Sequence, residues 1–251
     1  MSQRIRFQPG LWLGLAAALL VVAAAVASPD AGKRVYLPVA VAAPPAPDCN
    51  VPGGTFAPLP VQGTDRINDA ANDRRINLGL RDNKRVNEPL GFVVYGSTND
   101  KAPQLQGMFG DRRIPAFTSA WQTAPNSNYK VTLLGLGTAP GEAIYAPDSN
   151  NPIFPNYAYL VLYADEKRIT LHNGREDNLR GYVVHIEDVC VDPDLVRLYR
   201  SLNAAGRGSL PGLRGHQAFG RAIGAEVRVA VRDEGTWLDP RSCRDWWKGA
   251  C

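Results

Sequence analysis

The chain has 251 residues, with 28 Lys plus Arg against 24 Asp plus Glu, 45% hydrophobic and 21% charged. That apolar fraction builds a core and excludes a disordered acidic or basic tail, and a net charge of +4 is too weak a field to recruit nucleic acid or an anionic membrane. The 24 Gly and 20 Pro argue against a helical bundle and for strands joined by many turns.

From the N-terminus, Arg4 and Arg6 precede an apolar run over residues 11–27 that closes on Ala25-Val26-Ala27, a small-x-small pattern. This predicts a secretory signal over residues 1–27 and a secreted or cell-surface protein; the alternative is a retained N-terminal membrane anchor. Removing Arg4 and Arg6 leaves 26 basic against 24 acidic residues, so most of the apparent basicity goes with the signal. Residues 28–64 are Pro/Ala-rich, as in Ala42-Ala43-Pro44-Pro45-Ala46-Pro47, and predict an extended spacer. One mainly-β domain is expected over residues 65–251, with a subdivision point near 125–130. In its first part, apolar runs at 92–95 and 114–121 alternate with turn clusters such as Gly96-Ser97-Thr98-Asn99-Asp100.

From Tyr129 the pattern is clearer. Strands are predicted at 130–134, 142–145, 157–163, 168–172 and 181–190, with turn residues between them. In the last of these Tyr182, Val184 and Ile186 share one face, and Val183, His185 and Glu187 the other. A helix follows over about 193–204: Asp192 caps it, Pro193 occupies its first turn, and Leu195, Val196, Leu198, Tyr199 and Leu202 form its apolar stripe. A strand over 225–232 turns at Asp233-Glu234-Gly235 onto Thr236-Trp237-Leu238. Asp239-Pro240-Arg241-Ser242 repeats the cap-and-proline signature and starts a short C-terminal helix carrying Trp246 and Trp247. The fold class is therefore mostly β, antiparallel and sandwich- or barrel-like, with one packed helix and a short terminal one.

The four cysteines, Cys49, Cys190, Cys243 and Cys251, all follow the expected cleavage point, where an oxidising compartment favours disulfides. Three connectivities exist; loop length favours Cys243 with Cys251, leaving Cys49 to clip the N-terminal arm onto Cys190.

Chemistry-bearing motifs are sparse. The three histidines, His172, His185 and His216, form no H-E-x-x-H or H-x-H pattern, so no metal and no cofactor is expected. Folding the 168–190 hairpin about residues 175–178 sets His185 opposite Arg168 and away from His172, and His216 reads as a loop residue. Ser209 lacks the flanking glycines of a nucleophile turn. Glu176, Asp177, Glu187, Asp188, Asp233 and Glu234 contain possible carboxylate pairs for glycoside hydrolysis, a chemistry set by a separation in space. Trp237, Trp246 and Trp247 suit either a sugar-stacking platform or the anchoring of the terminal helix, with anchoring the stronger reading.

The second half resembles the lysostaphin-type zinc endopeptidases over residues 141–240. Gly141-Glu142-Ala143-Ile144-Tyr145-Ala146-Pro147 is similar to their GxPVYAP strand, Gly215-His216-Gln217-Ala218-Phe219-Gly220 to their G-Q-x-I-G strand, and residues 229–240 to their closing FEVRxxGxxxDP. The resemblance implies a β-barrel and, for an active copy, zinc held by an H-x-G-x-D stretch and an H-x-H. Here the H-x-H positions are Glu226 and Arg228, no histidine precedes Gly141, and a guanidinium cannot ligate a cation, so the resemblance implies a catalytically degenerate copy. The patterns after residue 174 and at the C-terminus are also similar to those of secreted bacterial proteins.

The leading expectation is a non-catalytic extracellular binding or structural module whose partner is a cell-wall polymer or polysaccharide, with no nucleic acid and no membrane beyond the signal segment. Its expected surface comprises Arg175, Glu176, Asp177, Arg180, His185, Glu226 and Arg228. The competing expectations are a lysostaphin-like cell-wall metallopeptidase and a glycosidase using paired carboxylates.

Overall fold

Alternating apolar and polar residues become two antiparallel sheets in the computed structural model, which describes residues 48–51, 54–61, 84–85, 102–122, 132–174, 181–233 and 236–248. In chain order the elements are β1 (Ala57–Pro60), β2 (Lys84–Arg85), a 3-10 turn (Leu105–Met108), β3 (Phe117–Gln122), β4 (Thr132–Gly137), β5 (Ala143–Tyr145), β6 (Tyr159–Ala164), β7 (Arg168–Gly174), β8 (Gly181–Glu187) and β9 (Val189–Val191). Helix α1 (Pro193–Ala204), β10 (Ser209–Leu213), β11 (Ala218–Ala222), β12 (Glu226–Asp233), β13 (Thr236–Leu238) and α2 (Cys243–Trp246) follow. The large sheet runs β1-β10-β6-β7-β8-β12-β4-β3-β2, with β13 also on β12, and the small one runs β5-β11-β9. The large sheet keeps two ends, so it does not close into a barrel.

Period-two alternation aligns apolar rows across neighbouring strands. Ile169, Ile186, Val229 and Leu134 occupy one row, and Leu171, Val184 and Val231 the next; all seven are buried. These rows share a single core with Ile144, Phe219 and Val189 of the small sheet. The expected strand over 181–190 divides at Asp188, whose φ of 60° is left-handed, so β8 stays in the large sheet while β9 joins the small one. The β7–β8 hairpin pairs Thr170 with His185 and Arg168 with Glu187, two positions from the expected register. A two-residue slip preserves the face of every side chain, whereas a one-residue slip would invert them.

Two strands run against their composition. Residues 57–60, expected in the spacer, form β1, and Ser209–Leu213 forms β10, with Pro58 directly opposite Pro211. Neither proline has an N–H, so both are admitted where the ladder does not require that donor. Folded structure thus begins before Asp65. The segment leading into β1 is fastened by the Cys49–Cys190 disulfide, by the Val51 N–H donating to Asp192 Oδ2 (3.0 Å) and by Arg221 Nε donating to the Asn50 carbonyl (2.9 Å). Cys243 is also disulfide-bonded; Cys251, its expected partner, lies outside the described residues, as do the expected signal and residues 175–180.

Helix α1 begins as its sequence predicts. Asp192 is buried, and its Oδ1 accepts the Asp194 N–H at 2.8 Å while Oδ2 takes Val51. Leu195, Val196 and Tyr199 are buried, and the helix packs on β6 and β10. Because one carboxylate satisfies both the helix and the N-terminal segment, Asp192→Ala is expected to destabilise the protein by about 2 kcal/mol, one lost cap plus one orphaned buried N–H. Urea unfolding measures this, and a change below about 0.5 kcal/mol would contradict the dual role.

Trp246 and Trp247 are buried, so they are not a platform open to a ligand. Trp247 Nε1 donates to the Pro240 carbonyl at 2.8 Å, and Trp246 meets Tyr182 edge-on at 5.6 Å between ring centroids. Among the described residues no helix is long and apolar enough to cross a membrane.

Candidate functional site

The polar face of the large sheet is an internal network. In β8 every residue is buried, His185 completely, because the strand lies mid-sheet between β7 and β12 and is covered on both faces. His185 Nε2 lies 2.9 Å from Glu187 Oε1, and its Nδ1 lies 2.9 Å from Thr170 Oγ1. With Glu187 ionised, Nε2–H donates to the carboxylate, and a neutral ring receives the Thr170 hydroxyl proton on Nδ1.

Glu187 sits between Arg168 and Arg228 in the cross-strand register, and each guanidinium has a carboxylate of its own, Asp165 for Arg168 (2.6 Å) and Asp188 for Arg228. The hydrogen bond that Arg228 Nε donates to Asp188 raises the guanidinium above its ordinary range despite burial, with the charges of Asp188, Glu187 and Glu226 adding. Glu226 accepts from Ser119 Oγ at 2.7 Å and from Thr118, and it lies over Gly135, where a Cβ would meet its carboxylate oxygen at 2.3 Å.

Of the seven residues expected to form a binding surface, three are described: His185, Glu226 and Arg228. Arg175, Glu176, Asp177 and Arg180 lie outside the described residues. His185 is interior rather than on a wet face, and Glu226 and Arg228 are half-buried and hydrogen-bonded within the sheet. The three share one face of the sheet, on which exposure falls from the half-buried Glu226 and Arg228 to the fully buried His185. His172 and His185 lie on adjacent same-face positions of neighbouring strands, and among the described residues no three His, Cys, Asp or Glu side chains group as a metal site. A smaller cleft of about 380 Å³ beside this network is lined by residues 165–168 with Glu187 and Asp188, whose charges are largely paired with one another and with neighbouring arginines.

The larger concavity is elsewhere. A groove of about 860 Å³ lies among residues 104–112, the loop 148–158, the turn 214–216 and Lys248. Its walls are tied to the core. Asn173, buried at the end of β7, donates from Nδ2 to Ser149 Oγ (3.0 Å) and to the carbonyls of Asn151 (3.0 Å) and Ala158 (2.6 Å). The Tyr159 hydroxyl donates to the Pro147 carbonyl at 3.1 Å; burial, and secondarily the charge of Asp148, pushes that phenol well up. The opposite wall is pinned where Gln104 and Asp148 exchange backbone hydrogen bonds at 2.8 and 3.0 Å and where Gln104 Nε2 donates to the Asp245 carbonyl at 3.0 Å. The walls meet so closely at Gly107 that a Cβ there would stand 2.2 Å from the Asp148 nitrogen, which only glycine permits.

His216 is held on three sides in this groove. Its backbone takes a φ of 55°, its ring stacks on Tyr145 at 4.6 Å and 11°, and its Nδ1 lies 2.8 Å from the Gly107 carbonyl. A carbonyl only accepts, so Nδ1 carries a proton and donates, and Nε2 is the ring nitrogen left for a ligand. Arg112 is bound to Asp148 through two hydrogen bonds of 2.8 and 3.2 Å, which raises the guanidinium further. Arg214 lies over the Tyr157 ring at 5.7 Å. Arg112, Asn156, His216 and Lys248 all have left-handed backbones, so four of the six such non-glycine residues among those described line this one groove. Strained backbone concentrates where surrounding structure holds functional side chains in place.

No protein-family model, curated protein or solved structure matches the chain. Of the three strands at residues 141–147, 215–220 and 229–240, β5 and β11 pair in the small sheet, while β12 is in the large one. Sequence reading missed the groove because its side chains come from four separated segments; the only local signals were turn residues such as Asn156 and the Gly215-His216 pair.

Proposed function

We propose that the protein is an exported binding module that holds a polysaccharide or cell-wall polymer in the groove lined by Asn150, Asn156, Tyr157, Arg214 and His216. The observation that carries this reading is the groove itself: a wide, open and polar concavity whose backbone is strained and whose His216 ring is fixed by both a stack and a hydrogen bond. Sugar chains present many hydroxyls, each donor and acceptor, and side-chain amides match them on both counts. Asn150 and Asn156 are exposed, Tyr157 adds an aromatic ring, and His216 offers Nε2. The Cys49–Cys190 disulfide supports an oxidising compartment outside the cytosol. In this reading the Pro/Ala-rich segment carries the domain on the cell surface or trails from it.

The test is co-sedimentation of the full-length protein with purified peptidoglycan and with extracellular polysaccharides, repeated for Asn156→Gly combined with His216→Gly. Glycine accepts both left-handed backbones, so the variant removes side chains without adding strain. Retention on at least one polymer, reduced about tenfold or more in the variant at a temperature well below its melting transition, is expected. Retention equal in both proteins overturns the groove as the binding site. A fall in peptidoglycan turbidity with release of peptide would overturn the non-catalytic reading in favour of a hydrolase.

A further inference from the structure

We infer that the polymer taken by this groove is acidic, a saccharide chain bearing carboxylate or phosphate groups, and that Arg214 and Lys248 select it. The inference rests on the groove being a polymer site and adds the class of polymer. Four charged residues other than histidine line the groove: Arg112, Asp148, Arg214 and Lys248. Arg112 and Asp148 neutralise each other through their paired hydrogen bonds, and they also brace the wall.

Arg214 and Lys248 are exposed, and no carboxylate pairs with either among the described residues. Elsewhere the described arginines are frequently matched: Arg113 with Glu142, Arg168 with Asp165, Arg200 with Glu166, Arg228 with Asp188 and Arg241 with Asp239. In a chain of net charge +4, two uncompensated cations on one groove are a local excess.

Their settings differ in a useful way. The Arg214 backbone N–H is held by Gln217 Oε1 at 2.9 Å, and its guanidinium rests over Tyr157. That cation–π contact orients the planar fork while leaving its donors for a carboxylate or phosphate, which a guanidinium binds through two parallel hydrogen bonds. Lys248 supplies a mobile point charge. Asn150, Asn156 and His216 Nε2 complement hydroxyls, so the lining as a whole suits a charged sugar better than a bare anion or a neutral chain. A volume of about 860 Å³ is within the range of sites that enclose a ligand of several rings.

Calorimetry of the full-length protein with three oligomers of matched length tests this: oligogalacturonate for carboxylate, a phosphorylated oligomannoside for phosphate, and a neutral chito-oligosaccharide. At least one acidic oligomer should bind about tenfold or more tightly than the neutral one, and its affinity should fall with added salt. The double variant Arg214→Gln, Lys248→Gln should remove both the preference and the salt dependence while the melting temperature holds, because both side chains are exposed. Whichever acidic oligomer binds better identifies the carboxylate or the phosphate as the recognised group. If the neutral oligomer binds as tightly as the acidic ones, or the double variant keeps the preference, the charge inference is overturned while the groove reading stands. If no oligomer binds and the Asn156 and His216 variant changes nothing on any polymer, both are overturned.

Discussion

Replacing Cys49 with serine is expected to lower the free energy of unfolding by about 3–5 kcal/mol. The bond joins residues 141 positions apart, so in the unfolded chain it closes residues 49–190 into one loop, with α1 and β10–β13 outside it, and the chain-entropy account assigns most to such long closures. Native contacts add to this. Without the disulfide, the Asn50 and Val51 hydrogen bonds to Arg221 and Asp192, and the β1–β10 ladder beyond them, must hold an otherwise free arm. Substitution is the cleaner experiment than reduction, because a reductant also opens the disulfide at Cys243. Urea denaturation of the variant against the oxidised parent measures the difference. A midpoint that does not move would mean that the disulfide adds nothing beyond the arm's hydrogen bonds and the β1–β10 ladder.

The second large effect is expected at Glu187. Truncation to alanine should destabilise the protein by about 3 kcal/mol, because His185 Nε2–H would be left without its acceptor in a fully buried position. Arg168 and Arg228 would each keep a carboxylate, Asp165 and Asp188, so the loss falls mainly on the imidazole. Glu187→Gln retains an oxygen acceptor at the same reach and should cost about 1–2 kcal/mol, and Thr170→Val about 1 kcal/mol. A double-mutant cycle on Thr170 and Glu187 through the shared ring checks the linkage. Strict additivity would show two independent contacts rather than one network. Such a network stabilises little overall compared with an apolar replacement, but it opposes register slips, since a shifted β8 would leave these polar groups buried and unmatched.

Much of the architecture is legible in the residue pattern because it depends on near neighbours. Strict alternation in β8 assigned each side chain to its face, and a two-residue error in hairpin register left those assignments intact. The cap-then-proline signature located α1 to the residue, since Asp192 and Pro193 act within a single turn. The arithmetic of four cysteines singled out the Cys49–Cys190 pair. The candidate site was far less legible. Face assignment says which side a residue takes and nothing about what covers that side, so His185 reads as a surface group although it is fully buried, and Glu226 and Arg228 as free ones although they are half-buried and hydrogen-bonded within the sheet.

What the chain's local chemistry settled, then, is the fold class, the start of the helix and the cysteine pair, all consequences of spacing along the backbone. Tertiary packing decided the rest. It recruited the proline-bearing β1 and β10 into the sheet against their propensity, because a ladder tolerates a missing donor where the partner does not need one. It parted β8 from β9 at Asp188 and so built two sheets from one apolar run. It also assembled the groove from Arg112, Asn156, His216 and Lys248, residues that share no periodicity and meet only because Asn173, Gly107 and Gln104 hold distant segments together. Spacing along a chain encodes helices and strands; a concavity exists only after those elements have packed.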